Sequence, residues 1–185
     1  MEEIIEQYHK GQTRNGGKTP YTVHLYGVES ILSSLIDKGG EITDPSLISD
    51  LKNGALGHDL LEDTDVPKEL IAKTANERTL SLIKEVTNPD DDSHTERYMD
   101  QLKNSSEEGR LIKYADLIDN TFSVAYGLQD LGRDWAENFY LPIMKNTKKM
   151  LAETAFEKYP KTAKQARNLL DFASNLLCNR LTKQI

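Results

Sequence analysis

The sequence predicts an all-α protein, a helical bundle of about eight or nine helices in one domain over residues 1–185. Three observations carry that expectation. Strand signals are almost absent, because nowhere do four or more β-branched residues alternate with polar ones. Apolar residues recur instead at spacings of three and four along most of the chain. The 185 residues contain no internal repeat and no Pro/Gly/Ser-rich linker, and their number fits one domain of about 100–200 residues.

A first short helix is expected over residues 2–10. Thr19-Pro20 reads as the start of the second, with proline at the first helical position, where its missing N–H costs nothing. The apolar face of that helix runs Val23, Tyr26/Gly27, Ile31 and Leu35, and Gly39-Gly40 ends it. Asp44-Pro45 repeats the start signal for a helix carrying Leu47, Leu51, Ala55 and Leu60. Pro67 opens a short helix, and Leu80, Ile83 and Val86 mark another. Segments 94–103 and 106–125 follow, the second with Glu107-Glu108 in a first turn that suits the helix dipole. Two long helices, at 134–157 and 161–181, are separated by Pro160. In the last, Ala166, Leu169/Leu170, Ala173, Leu176/Leu177 and Leu181 form a stripe for the core rather than a dimer seam, since only about two heptads are present.

Composition narrows the function. There are 23 basic and 30 acidic residues, a net charge of −7, and no basic cluster longer than Lys148-Lys149. Nucleic acid is therefore not an expected partner, because neutralising its phosphates takes a basic face. No membrane span is expected either: mean hydropathy is −0.60, and no apolar run approaches the ~18 residues required. Met-Glu-Glu-Ile-Ile at the N-terminus is acidic where a secretory signal is basic, so a cytoplasmic location is expected. Cys178 is the single cysteine, which excludes intrachain disulfides and cysteine-built zinc sites. An acidic protein can still bind a small phosphorylated ligand where a metal or a few local cations reverse the sign.

The chemistry concentrates in Gly57-His58-Asp59-Leu60-Leu61-Glu62-Asp63-Thr64-Asp65, four carboxylates without a lysine or arginine. Read as the end of one helix, this places His58 with Glu62 and Asp59 with Asp63, each four apart on adjoining faces. Negative charge at a helix C-terminus opposes the dipole and repels itself, each effect costing from a few tenths to ~1 kcal/mol. A divalent cation would offset that cost. His24 lies on the preceding helix, and Lys113-Tyr114-Ala115-Asp116-Leu117-Ile118-Asp119-Asn120 puts Asp116 and Asn120 four apart on one face. His24, His58, Asp59 and Asp116 thus offer two imidazoles and two carboxylates. That set suits manganese or iron(II) better than structural zinc, and leaves places for water and a substrate oxygen. His24 or Asp116 alone would be an ordinary packed or capping residue; their case rests on the company of the 58–63 segment.

This pattern, His24…His58-Asp59…Asp116, resembles the HD-domain metal-dependent phosphohydrolases, and more narrowly the hydrolase domain of RelA/SpoT-type alarmone enzymes and the stand-alone small alarmone hydrolases. The likeness also takes in His9-Lys10-Gly11-Gln12-Thr13-Arg14, Thr19-Pro20-Tyr21-Thr22-Val23-His24, the Glu62-Asp63-Thr64 that follows His-Asp, and Phe139-Tyr140-Leu141-Pro142. It implies one manganese ion (Fe2+ or another divalent metal can substitute) held by His24, His58, Asp59 and Asp116. Glu62 and Asp63 would hold and activate the attacking water. Arg14 would stack on or pair with a guanine base, and Asn120, Ser123 and Tyr140 would line the pocket of a small nucleotide partner. The reaction implied is removal of the 3′-pyrophosphate from guanosine tetra- or pentaphosphate (ppGpp, pppGpp). His9 reads as a supporting residue and His94 as the opener of its helix.

The chain also departs from that pattern. Asn15 stands where the family usually has lysine after Arg14, and Asn88-Pro89-Asp90-Asp91-Asp92 is acidic where the family often carries lysines. Fewer cations predict weaker binding of a multiply phosphorylated ligand, with Arg97, Arg110 and Lys113 left to offset the loss. Two other readings stand beside the leading one. The same chemistry could act on a deoxynucleoside monophosphate or on the 2′-phosphate of NADPH. A non-catalytic nucleotide-binding module is the other, although such a module has no need of the full ligand set together with Glu62-Asp63.

Overall fold

The computed structural model describes residues 1–14, 16–89 and 96–182. In chain order its elements are α1 (Glu2–Tyr8), β1 (Thr13–Arg14), β2 (Thr19–Pro20), α2 (Thr22–Gly39), α3 (Pro45–Gly57), α4 (Leu60–Asp63), α5 (Lys68–Thr74), α6 (Glu77–Val86), α7 (Glu96–Asn104), α8 (Glu107–Leu131), α9 (Arg133–Trp135), a π-helical turn (Ala136–Tyr140), α10 (Leu141–Glu153) and α11 (Pro160–Thr182). The architecture is all-α, as the periodicity predicts, and the described residues add one two-stranded hairpin. Among the described residues no helix is long and apolar enough to cross a membrane.

The start signals explain most boundaries. Asp44 caps α3, its carboxylate accepting from the Ser46 N–H at 3.0 Å ahead of Pro45. Ser106 caps α8 by accepting from the Gly109 N–H at 3.0 Å, with Glu107 and Glu108 in the first turn. Gly40, at φ 67°, closes α2 in the left-handed conformation that glycine adopts without penalty.

Three expectations are corrected. Thr19-Pro20 does not open a helix: the two residues form β2, paired antiparallel with β1 (Thr13 opposite Pro20, Arg14 opposite Thr19). The reason is local, since a residue before proline is pushed to extended backbone, and Gly16 and Gly17 at φ 69° and 85° turn the chain back. The helix expected over 134–157 is instead α9, a π turn and α10. Pro142, in the first turn of α10, has no N–H to continue the ladder upstream. Finally, α3 ends at Gly57, short of the whole acidic motif.

Helix α8 is the axis of the bundle. It is buried on nearly every side from Leu111 to Ile118, packed between α2, α6 and α11. The α11 stripe, Ala166, Leu170, Ala173, Leu177 and Leu181, covers it as expected. One core cluster gathers Leu32, Leu51, Leu111, Ile118 and Leu177; a smaller one gathers Ile5, Leu25, Leu60, Ile71 and Ile83. His24 and His58 adjoin members of the smaller cluster and Asp116 adjoins members of the larger, so the polar cluster runs along the seam between them.

Candidate metal centre

Each component reaches the seam from a different kind of element. His24 sits in the first turn of α2, just after the hairpin. His58 is the last cap of α3 and Asp59 the first of α4, both near helical dihedrals (φ −58°, ψ −32° and φ −96°, ψ −3°), so the pair lies on a break between two helices. Asp116 projects from the middle of α8. Because of that break, Glu62 and Asp63 close a separate single-turn helix, α4, which Thr64 ends, rather than the long helix α3. A single turn carries little macrodipole, so the opposition expected from the sequence is small, and mutual repulsion of the carboxylates remains.

The four groups converge. His58 Nε2 lies 3.1 Å from Asp59 Oδ2 and 3.6 Å from Asp116 Oδ1, and His24 Nε2 lies 3.5 Å and 3.3 Å from the same two atoms. Ligand atoms of His24, His58 and Asp59 all fall within 4.8 Å of one another. The opposite ring nitrogens settle the tautomers. His24 Nδ1 is 2.7 Å from Asp119 Oδ2, and His58 Nδ1 is 2.8 Å from the Ala55 carbonyl; both partners only accept, so each Nδ1 donates and each Nε2 turns toward the carboxylates. Further donors fix those carboxylates: the Tyr21 hydroxyl on Asp59 Oδ2 at 2.7 Å, and Lys113 Nζ on Asp116 Oδ2 at 2.8 Å.

The electrostatics call for positive charge at the centre. Burial would lower the His24 pKa, but hydrogen bonds with Asp116, Asp119 and Asp59 outweigh it and hold the ring up to about 9. His58 is held well above its ordinary value against burial, chiefly by the Asp59 charge. Asp59 and Asp116 are driven far below theirs, although burial alone would raise them, by His58 in the first case and Lys113 in the second. Buried His58 Nε2 makes no hydrogen bond. An orphaned imidazole nitrogen facing two carboxylate oxygens and a second Nε2, without a thiolate, fits a divalent cation with nitrogen and oxygen ligation.

Glu62 and Asp63 stand at the rim. Glu62 Oε1 accepts the Asn88 N–H at 2.6 Å. Burial and the Asp59 charge push the Glu62 carboxyl up to about 7 against the pull of that N–H and of Lys113. Asp63 is also raised, by burial and then by Asp59. His9 Nδ1, 2.7 Å from Gln12 Oε1, continues through Gln12 Nε2 to the Asp63 carbonyl at 2.8 Å, so the segment after α1 braces α4.

Beside His24 opens a cleft of about 150 Å³, with Arg14, Val23, Phe122, Ser123 and Tyr126 in its walls. Arg14 and Ser123 are thus brought together. Asn120 stands behind Arg14, its Oδ1 accepting from Arg14 Nη2 at 2.7 Å. Tyr140 is buried outside the cleft lining, its hydroxyl 2.9 Å from that of Thr121. Arg110, considered as an offsetting cation, is spent elsewhere, on the carbonyls of Ser105 and Ala155. Asn15, Asp90, Asp91, Asp92 and His94 lie outside the described residues. Sequence reasoning missed Asp119 and Tyr21. Asp119 had a visible signal, three residues after Asp116 and so on the same face of α8.

A histidine from one helix, a His-Asp pair from a helix break and an aspartate from a third helix, converging inside an all-α frame, define the HD class of metal-dependent hydrolases. No family model matches the chain. It is 31% identical over 186 residues to the guanosine-3′,5′-bis(diphosphate) 3′-pyrophosphohydrolase of Borreliella burgdorferi, covering 91% of this chain and 26% of that one. It is 34% identical over 137 residues to the enzyme of the same name, MESH1, from Xenopus tropicalis, covering 70% of this chain and 68% of the relative. A solved structure of a metazoan SpoT ortholog, described as hydrolysing ppGpp, superposes with a TM-score of 0.71 at 25% identity, over 94% of this chain and 90% of that one. The chain belongs to the guanosine-3′,5′-bis(diphosphate) 3′-pyrophosphohydrolase family. It spans about a quarter of the length of the Borreliella relative.

Proposed function

We propose that the chain removes the 3′-pyrophosphate of guanosine tetra- or pentaphosphate, giving GDP or GTP and pyrophosphate, with manganese as its ion. The observation that carries this reading is the orphaned His58 Nε2 turned toward one oxygen each of Asp59 and Asp116, beside the His24 ring, in a chain whose relatives are named for that reaction. His24, His58, Asp59 and Asp116 would hold the ion. Bound there, a divalent cation polarises a phosphoryl oxygen and lowers the pKa of a water.

The remaining work falls to the chain's own residues. Glu62 and Asp63 orient the attacking water and take its proton. The water oxygen bonds to the phosphorus on O3′, the P–O3′ bond breaks, and the proton passes to the ribose oxygen. Burial holds the Glu62 carboxyl up to about 7 without an ion, and a nearby cation would bring it down, leaving a base ionised at neutral pH. Arg14 reads the base, its planar guanidinium able to stack and donate at once, with Asn120 fixing its far nitrogen. Ser123 contacts the nucleotide from the cleft wall and Tyr140 supports it from behind Thr121.

The test is incubation with manganese and a panel of guanosine tetraphosphate, guanosine pentaphosphate, a deoxynucleoside monophosphate and NADPH, with products identified by mass. The expected products are pyrophosphate with GDP or GTP. Release of single phosphate from the last two substrates, with the first two intact, would transfer the same catalytic residues to another nucleotide. Binding without turnover of any would make the chain a nucleotide-binding module.

A further inference from the structure

Asp119 is outside the proposed ligand set, yet one oxygen of its carboxylate serves two donors. Oδ2 accepts from His24 Nδ1 at 2.7 Å and from Arg14 Nη1 at 3.0 Å. The first donor belongs to the metal centre and the second to the wall of the neighbouring cleft. The carboxylate reaches this position because residue 27, one turn beyond His24 on α2, is glycine. A Cβ there would stand 3.2 Å from Asp119 Cγ and closer still to Oδ1.

We infer that Asp119 is a positioning residue that couples occupancy of the cleft to the strength of the metal centre, through Arg14 on one side and His24 on the other. The inference rests on the reading of His24 as a ligand. An acceptor shared by two donors gives each less than it would give one alone. A nucleotide whose base accepts from Arg14 Nη1 draws it away and leaves Oδ2 to His24, and the stronger Nδ1–H···O⁻ bond makes Nε2 a better electron-pair donor. The reverse also holds. A cation on Nε2 makes Nδ1–H more acidic, pulls the carboxylate toward His24 and loosens Arg14 for the ligand, so the two binding events reinforce each other by the same factor. Arg14 Nη2 stays on Asn120 Oδ1 throughout, which lets Nη1 change partners without losing the side chain's position.

This coupling predicts opposite outcomes for two variants that break the same ion pair. Asp119→Asn keeps the shape but removes the charge on Nδ1–H, and manganese affinity should fall about 10- to 100-fold, the usual effect of losing such a partner. Arg14→Ala releases Oδ2 to His24, and manganese affinity should hold or rise. If the Arg14–Asp119 pair only stabilised the fold, both variants would weaken the ion alike. Gly27→Ala keeps every charge while crowding the carboxylate, and should also weaken manganese.

The experiment is calorimetric titration of manganese into metal-stripped wild type and the three variants, with and without saturating GDP, which the proposed reaction does not consume. Wild type should bind manganese several-fold more tightly with GDP present, and both Asp119→Asn and Arg14→Ala should lose that enhancement. Equal manganese affinity in wild type and Asp119→Asn, parallel weakening in Arg14→Ala and Asp119→Asn, or no effect of GDP on wild type would each overturn the coupling. Wild type that takes up no manganese would sink the ligand set and the coupling together.

Discussion

Helix α8 carries two buried charged clusters, two turns apart, that are resolved in opposite ways. At its first turn Glu107 accepts the backbone N–H groups of Glu157, Lys158 and Tyr159 at 2.8–3.1 Å, and Glu108 accepts the Tyr159 hydroxyl at 3.0 Å. Arg110 donates to the carbonyls of Lys103, Ser105 and Ala155 beside them. Both Glu107 oxygens meet N–H donors there, Glu108 Oε2 and Arg110 Nε being buried without a hydrogen bond, and the approach to α11 is tied to the start of α8. Around Asp116 the chain instead gathers two imidazoles and two carboxylates about one point, with Lys113 and Tyr21 donating from outside, and buried His58 Nε2 makes no hydrogen bond. Burial of charge is common to both clusters and so tells little. What each cluster gathers tells more: backbone N–H donors closing a carboxylate at the first turn, and around Asp116 the mixed imidazole and carboxylate set that suits a divalent cation.

The largest expected contrast comes from removing charge at each cluster. Asp59→Asn should abolish turnover and metal uptake. Chelator should lower the melting temperature of wild type and leave that of Asp59→Asn unchanged, because an ion held at 100 times its Kd adds about 2.7 kcal/mol to the native state. Glu62→Gln and Asp63→Asn should cut kcat by ~10²–10⁴ with metal content intact by elemental analysis. A variant of either that loses its ion is a ligand variant, and the partition between ligands and water-activating groups is wrong.

The pH profile sharpens the same division. A carboxylate acting as base works only when ionised, so kcat should rise as pH increases toward the Glu62 pKa. That value is about 7 without an ion, and a bound cation pulls it lower. In Glu62→Gln that limb should disappear. At the structural cluster, Glu107→Gln should cost about 2–3 kcal/mol in denaturant unfolding, as losing hydrogen bonds to a buried charged group does, while kcat and KM hold.

The smallest effect belongs to Glu41, which accepts the Lys161 and Thr162 N–H groups at the start of α11. Burial tends to raise its pKa, but those donors prevail and lower it. Its stabilisation is therefore present above the ordinary carboxylate range and lost as pH falls. Glu41→Gln should cost about 0.5–1 kcal/mol at neutral pH and nothing in strong acid, measured by unfolding at both.

Much of this was legible in the residues. Helical spacing, the Asp44-Pro45 start and the acidic first turn at Glu107-Glu108 gave α3 and α8, because start signals and periodicity are local. The convergence of His24, His58, Asp59 and Asp116 was legible because two imidazoles and a crowded acidic segment lack a good structural role. The hairpin was not: two-residue strands carry no period, and Thr19-Pro20 resembles a helix start as much as a strand. The break at His58-Asp59 was hidden because both residues keep near-helical dihedrals. Asp119 was hidden for a different reason: its role depends on Arg14, His24 and the missing Cβ of Gly27, three positions on two other elements, β1 and α2. Tyr140 illustrates the limit of likeness, since its position was expected from a motif while its neighbours come from the π turn and α8.

The central claim is that one divalent ion sits among His24, His58, Asp59 and Asp116, and anomalous diffraction at the manganese edge from manganese-loaded crystals tests it most directly. The account predicts a single strong peak within about 2.0–2.3 Å of His24 Nε2, His58 Nε2 and one oxygen each of Asp59 and Asp116, the distances such ligands require. A peak held by Glu62 or Asp63 in place of His24 or Asp116, or no peak at this seam, would contradict it.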